Sequence, residues 1–181
     1  MVKGASVTQN QVASFFEDEP LVVAHNAAFD CPFFERLIPA YKQQLIWGCS
    51  RIHIDWTGAE YGFESPKQEY LLFKHNMFYE GHRAQTDCVA LAHLLALNPK
   101  AMMDLVEAAF SDEYLVRARG ARFETKDALK KEKMRWNAKQ KVWEKKINKE
   151  NLEAFKQKLV NLDARISPEI VTIPAKTRFS S

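Results

Sequence analysis

The chain has 181 residues, 46% of them hydrophobic and 12% aromatic, which is ordinary for a globular protein and fits one domain, or a small domain with an appendage. No run approaches the ~18 apolar residues of a membrane span, and the opening Met-Val-Lys-Gly-Ala-Ser-Val lacks the apolar core of a signal peptide. No membrane partner is therefore expected, and the cytoplasm is the expected compartment. Three scattered cysteines, Cys31, Cys49 and Cys88, exclude a disulfide framework and a CxxC zinc site. The net charge of +3 hides an asymmetry: residues 1–114 carry −7 and residues 115–160 carry +9. An acidic part joined to a basic part suggests a carboxylate-rich site beside a polyanion-binding surface, or a lysine-rich solvated face.

In chain order, Thr8 to Asp18 predicts a helix with Val12, Phe15 and Phe16 on one face, capped by Thr8 or Ser6 and ended by Pro20. Leu21-Val22-Val23-Ala24 is a continuous apolar run, the pattern of a buried parallel strand. Asn26 to Ile38 predicts a helix with Phe29, Phe33, Phe34 and Leu37 facing inward, stopped by Pro39. A second strand is expected over Gln44–Cys49, then an irregular loop over 50–64. Ser65 and Pro66 suit the cap and first turn of a further helix. Helices are expected over Thr86–Leu97 and 101–110.

The composition shifts near Tyr114, which predicts a domain over 1–113 and a small basic module over 114–181. The module reads as β-α-β-β-α: a strand over 115–123, a short basic helix over 126–132, a hairpin of Met134–Asn137 and Val142–Ile147, and a helix over 150–162 capped by Asn148. The tail, with Ile166, Ile170, Val171 and Ile173 among prolines, is expected to be extended and docked.

Two segments carry chemistry. Ala24-His25-Asn26-Ala27-Ala28-Phe29-Asp30 closes an apolar strand and puts Asp30 one turn into a helix, at the sheet edge where α/β folds place ligands. A carboxylate there can hold a hard cation, although an acid in a first turn is also favoured by the helix dipole alone. Asn26 stands at the turn, able to cap the helix or touch substrate. Gly81-His82-Arg83-Ala84-Gln85-Thr86-Asp87 places His82 ahead of a helix and Asp87 in its first turn. A neutral imidazole suits general-base work near pH 7.

Together the two segments resemble the second and third metal-site motifs of the DEDDh-type 3′–5′ exonucleases, the DNA polymerase III epsilon-like enzymes with an RNase H-like fold. The resemblance covers residues 1 to about 110. It implies two-metal phosphodiester hydrolysis at 3′ ends of DNA or RNA, with Mg²⁺ or Mn²⁺. Carried over position by position, it implies Asp30 and Asp87 as metal ligands, His82 as general base, Asn26 as an accessory residue and Phe29 as structural. The family's first motif, an Asp-x-Glu on the central strand, is absent. Ile54-Asp55-Trp56-Thr57-Gly58 and Glu17-Asp18-Glu19 are poor substitutes. The expected fold is therefore α/β, RNase H-like without its first strands and with a marginal two-stranded sheet. A clipped or split form with weak or no catalysis is the corresponding expectation.

In the basic module, Arg135, Trp136, Lys141 and Lys145 are candidate substrate contacts, cations interleaved with aromatics as nucleic-acid surfaces require. A plainer reading pairs Trp136 with Trp143 across the hairpin. The rival to an exonuclease is a non-catalytic nucleic-acid-binding or scaffold protein, or a subunit completed by a partner chain. A polymerase or a second copy of this chain stays open as that partner.

Overall fold

The two apolar runs pair with each other. A computed structural model describes residues 8–16, 21–81 and 83–180. Within them the architecture is mixed α/β, with helices around two small sheets. One unit comprises the residues up to Ser111 together with those from Ala175 onward, and a second comprises Asp112–Pro174.

The first unit runs α1 (Gln9–Ala13), β1 (Leu21–Ala24), α2 (Ala27–Leu37), β2 (Ile46–Cys49), α3 (Ser50–His53), α4 (Gln68–Lys74), α5 (Ala84–Leu97) and α6 (Pro99–Phe110). β1 and β2 are parallel, Leu21 opposite Ile46 and Ala24 opposite Cys49. Parallel strands need a crossover and cover on both faces, and both are present. On one face Val22, Ala24, Trp47 and Cys49 pack with Ala27 and Cys31 of α2, the crossover helix. On the other, Leu21 and Val23 pack against the cluster of Leu94 from α5 and Leu105 from α6. Gly48 lets α6 approach: a Cβ there would lie 2.7 Å from Leu105 Cδ2. The expected two-stranded sheet is thus the one observed, and it is sandwiched by helices.

The inward face of α2 differs from the expected one. Ala27, Cys31 and Glu35 are buried, Phe34 is half-buried, and Phe29, Phe33 and Leu37 are exposed. Both stripes are apolar enough to pack, and the small Ala27 and Cys31 let the helix lie close on the strands. Phe29 therefore does not fix the helix to the sheet as expected of a structural residue. Phe34 does so instead, its ring 5.7 Å from Trp47. Two smaller differences follow from local hydrogen bonding. The segment 50–64 is not wholly irregular, since α3 gives it one helical turn. α4 starts at Gln68 rather than Pro66, because Ser65 Oγ closes a turn by accepting from Lys67 N at 3.3 Å. At α1, Thr8 Oγ1 accepts from Gln11 N at 3.4 Å while Gln11 Oε1 accepts from Thr8 N at 3.1 Å, a reciprocal cap. Ser6, Pro20 and Glu17-Asp18-Glu19 lie outside the described residues.

The last residues belong with the first unit, not with the basic module over 114–181. Phe179 enters the α2-side core. Arg178 is buried, donating to the Ala108 carbonyl at 2.9 Å and to that of Ser111, so it caps the carboxyl end of α6. Ser180 Oγ donates to Glu35 Oε2 at 2.8 Å. Among the described residues no single helix is long and apolar enough to cross a membrane, and α5 and α6 meet at a bend of 108°.

The second unit runs β3 (Glu113–Arg119), α7 (Lys126–Lys131), β4 (Arg135–Asn137), β5 (Val142–Ile147), α8 (Lys149–Leu162) and β6 (Ser167–Ile173). Its sheet is antiparallel in the order β4-β5-β3-β6. The tail is therefore a strand: Pro168, opposite Ala118, is tolerated because β6 is at an edge. Val116, Leu129, Phe155, Leu159 and Ile166 form the core. On the opposite face Arg117 bridges Glu144 and Glu169, at 3.3 and 3.8 Å. Asn148 caps α8, its Oδ1 accepting from Asn151 N at 3.3 Å. Asn148→Ala should lower stability by about 1 kcal/mol, read as an earlier midpoint for this unit in urea; an unmoved midpoint refutes the cap.

Candidate functional site

The chain leaves β1 through His25 and Asn26 and turns at once into α2. The Asn26 carbonyl accepts from Phe29 N at 2.8 Å and Asp30 N at 3.2 Å, which starts the helix. Its side chain makes no capping bond and instead lines a cavity. Asp30 stands in the first turn of α2, half-buried in the wall of that cavity, and burial pushes its carboxyl pKa up.

His25 is a positioning residue that the sequence pattern contains without giving it a role. Its Nδ1 lies 2.8 Å from Ser50 Oγ, and the Ser50 carbonyl accepts from Trp56 Nε1 at 2.7 Å. Ser50 and Trp56 are both buried. Burial pulls the His25 pKa below the usual histidine range, against an opposing effect of the Pro66 backbone and aided by nearby Arg51. A neutral imidazole thus ties the exit of β1 to the start of α3.

Asp87 enters from the other side. Its backbone N–H is bonded to the Arg83 carbonyl at 2.9 Å in the first turn of α5, and its own carbonyl accepts from Gln68 Nε2 at 2.7 Å. The Tyr79 phenol stands near the Asp87 and Glu69 carboxylates and feels the charge of both. Gly81 passes close by: a Cβ there would lie 2.7 Å from Glu69 Oε1 and 3.8 Å from Asp87 Oδ1. The Glu69 and Asp87 carboxylates therefore flank one point in space, and a side chain at 81 would have to displace the Glu69 carboxylate. Glu69 and Tyr79 were not found from the sequence. The only signal for them is Gly81, which reads there as a mere chain break.

Asn26, Asp30 and Asp87, predicted from two distant segments, line one cavity of about 1420 Å³. That exceeds the roughly 300–1,000 Å³ usual for small ligands. Glu69, Tyr79, Arg51 and Lys67 add polar groups to the same wall, and Leu91, Leu95 and Met102 line its apolar part. Phe29, 69% exposed, also faces it. His82, the expected general base, lies outside the described residues.

Arg135, Trp136, Lys141 and Lys145 are all in the second unit. Arg135, Trp136 and Lys141 are exposed. Lys145 is half-buried and engaged within its own unit: its Nζ donates to the Glu132 carbonyl at 2.9 Å and sits 4.8 Å from the centre of the Phe155 ring.

Burial, then the negative charges of Asp87 and Glu69, push the Tyr79 phenol up to about 12; burial and Asp104 do the same for Tyr61. Unfolded tyrosine ionises near 10. Both phenols are therefore held neutral in the folded state above the pH at which they ionise in the unfolded chain. Their contribution to stability is complete below pH ~10 and is lost as pH rises toward ~12. Tyr79→Phe should blunt this alkaline loss, measured as the urea midpoint from pH 9 to 12; identical profiles for variant and parent would refute it.

No family model, curated protein or solved structure matches this chain.

Proposed function

We propose that the cavity of the first unit binds the 3′-terminal nucleotide of a DNA or RNA strand together with a divalent cation, as part of a DEDDh-type exonuclease site on an RNase H-like fold. The observation that carries the reading is that Asn26, Asp30 and Asp87, the residues of the two motifs, share one cavity at the carboxyl end of β1.

The donor set suits Mg²⁺ or Mn²⁺ in kind, being hard oxygen ligands. It suits them in number too, since Mg²⁺ is commonly held by one or two carboxylates and completed by water and substrate phosphate. Asp30 and Asp87 would hold the cation. When bound it would polarise the scissile phosphate and lower the pKa of an attacking water. Arg51 and Lys67 attract the phosphate backbone. Phe29 offers an exposed ring on which the terminal base can stack, and the Asn26 amide can bond that nucleotide. Tyr79, beside the Asp87 carboxylate, offers a phenol to the same wall. His82 would take the proton of the water.

The first-motif carboxylates are absent from the sequence, so weak or no hydrolysis is expected of this chain and binding is the primary readout. The test is titration of the full chain with a short single-stranded oligonucleotide and Mn²⁺, following Mn²⁺ by its electron paramagnetic resonance signal, alongside release of labelled 3′ nucleotides. Mn²⁺ uptake that requires the oligonucleotide's 3′ end and disappears in Asp30→Asn and Asp87→Asn supports the site. Uptake indifferent to both substitutions overturns it.

A further inference from the structure

The second unit carries a cationic surface that the cavity does not use. Among the described residues several of its cations are neutralised locally. Arg117 and Arg119 bond Glu144 and Glu169, Arg122 bonds Asp163, and Lys146 bonds Glu113. Lys156 bonds Glu153 and Lys158 bonds Glu132. The segment 131–141 is different. Lys131, Lys133, Arg135, Lys139 and Lys141 are exposed, and among the described residues none of them is paired with a carboxylate. The one acid in the segment, Glu132, is already held by Lys158 at 2.7 Å.

At the centre of this segment stands Trp136, 50% exposed on the edge strand β4. Its ring centre is 5.6 Å from that of Trp143, which packs on the core, so the indole is braced on one flank while half of its surface stays exposed. Lys131 and Lys133 precede the three-residue strand, and Lys139 and Lys141 follow it. At ~3.3 Å per residue the strand spans roughly 10 Å, so cations bracket the indole at both ends. Lys133 and Lys141 adopt φ of 59° and 51°, the left-handed region where glycine costs less. Charge stands at both positions against the local backbone preference.

We infer that the β4–β5 hairpin is a binding surface for single-stranded nucleic acid, with one base stacked on Trp136 and phosphates on the flanking lysines and Arg135. An acidic protein would satisfy the lysines but leave the exposed indole surface without a planar partner. A duplex would satisfy them too, yet its base faces are covered by their neighbours. A single strand supplies phosphates and free base faces together. The surface is independent of the cavity of the first unit and needs no divalent cation.

The test is fluorescence anisotropy of a labelled oligothymidylate titrated with the full chain in EDTA, which silences the Mn²⁺-dependent site. Trp136→Ala is expected to weaken binding about 5- to 150-fold, the worth of one stacked base. Trp136→Phe is expected to retain most of it, which separates stacking from loss of the fold. Lys139→Ala/Lys141→Ala, on an exposed turn, should reduce the slope of log affinity against log salt by about 1.4. Unchanged affinity in Trp136→Ala, equal affinity for a blunt duplex, or equal affinity for polyglutamate overturns the assignment.

Discussion

Asp87→Asn is expected to abolish oligonucleotide-dependent Mn²⁺ binding, by roughly 100-fold or more, since loss of a ligand exceeds the 10- to 100-fold typical of its supporting partners. The substitution is nearly isosteric and the surrounding structure should persist. The bond from Gln68 goes to the backbone carbonyl of residue 87, not to its side chain. An unchanged melting curve with lost Mn²⁺ uptake is therefore the expected pair of results. The parent protein should also lose uptake on acidification at a higher pH than an ordinary aspartate pair would allow. Burial raises the Asp30 pKa, so the proton competes with the cation earlier. Uptake that persists in Asp87→Asn, in a protein that melts normally, removes Asp87 from the site.

The largest effect on stability is expected from Trp56→Ala. The indole is 1% exposed, packs against Tyr61 and Phe63 at 5.3 and 5.9 Å between ring centres, and donates to the Ser50 carbonyl. Its removal should cost about 3–5 kcal/mol, a large share of the ~5–15 kcal/mol by which small proteins are folded. The consequence reaches the cavity, because Ser50 is the residue against which His25 rests. Trp56→Phe separates the two roles. It keeps most of the packing but removes the indole donor to the Ser50 carbonyl, at ~1–3 kcal/mol. Urea unfolding together with the Mn²⁺ titration reads both, and a Trp56→Ala midpoint close to that of the parent would count against this packing.

The strands and helices that place the candidate site were legible because their patterns are unambiguous. Leu21–Ala24 has no helical period, and Asp30 and Asp87 each fall in the first turn after a clear helix start. The inward face of α2 was not legible. Its Phe29/Phe33/Leu37 stripe is more hydrophobic than Ala27/Cys31/Glu35, and hydrophobicity favours the stripe that in fact faces outward. What decides is the short distance that small side chains permit over a narrow two-stranded sheet, a tertiary property. β6 was read only as an extended tail because Pro168 argues against a strand, and that argument fails at an edge. Glu69 and Tyr79 reach Asp87 through the geometry around Gly81, and nothing in their own spacing announces it. Arg178 could not be assigned to α6 from the sequence, since its acceptors are backbone carbonyls.

The pairing of Glu113 with Ile173 has a consequence for how the protein can be taken apart. The strands by which the chain enters and leaves the second unit are antiparallel neighbours, with Cα atoms ~5 Å apart at this pair. The second unit is in that sense a cassette spliced into the first, both of its ends at a single gate. A few flexible residues joining Ser111 to Ala175 would close the gap at little entropic cost. The piece removed would keep all four strands of its sheet. Evolution or an engineer could thus exchange the basic cassette without breaking the strand and helices that carry Asp30 and Asp87.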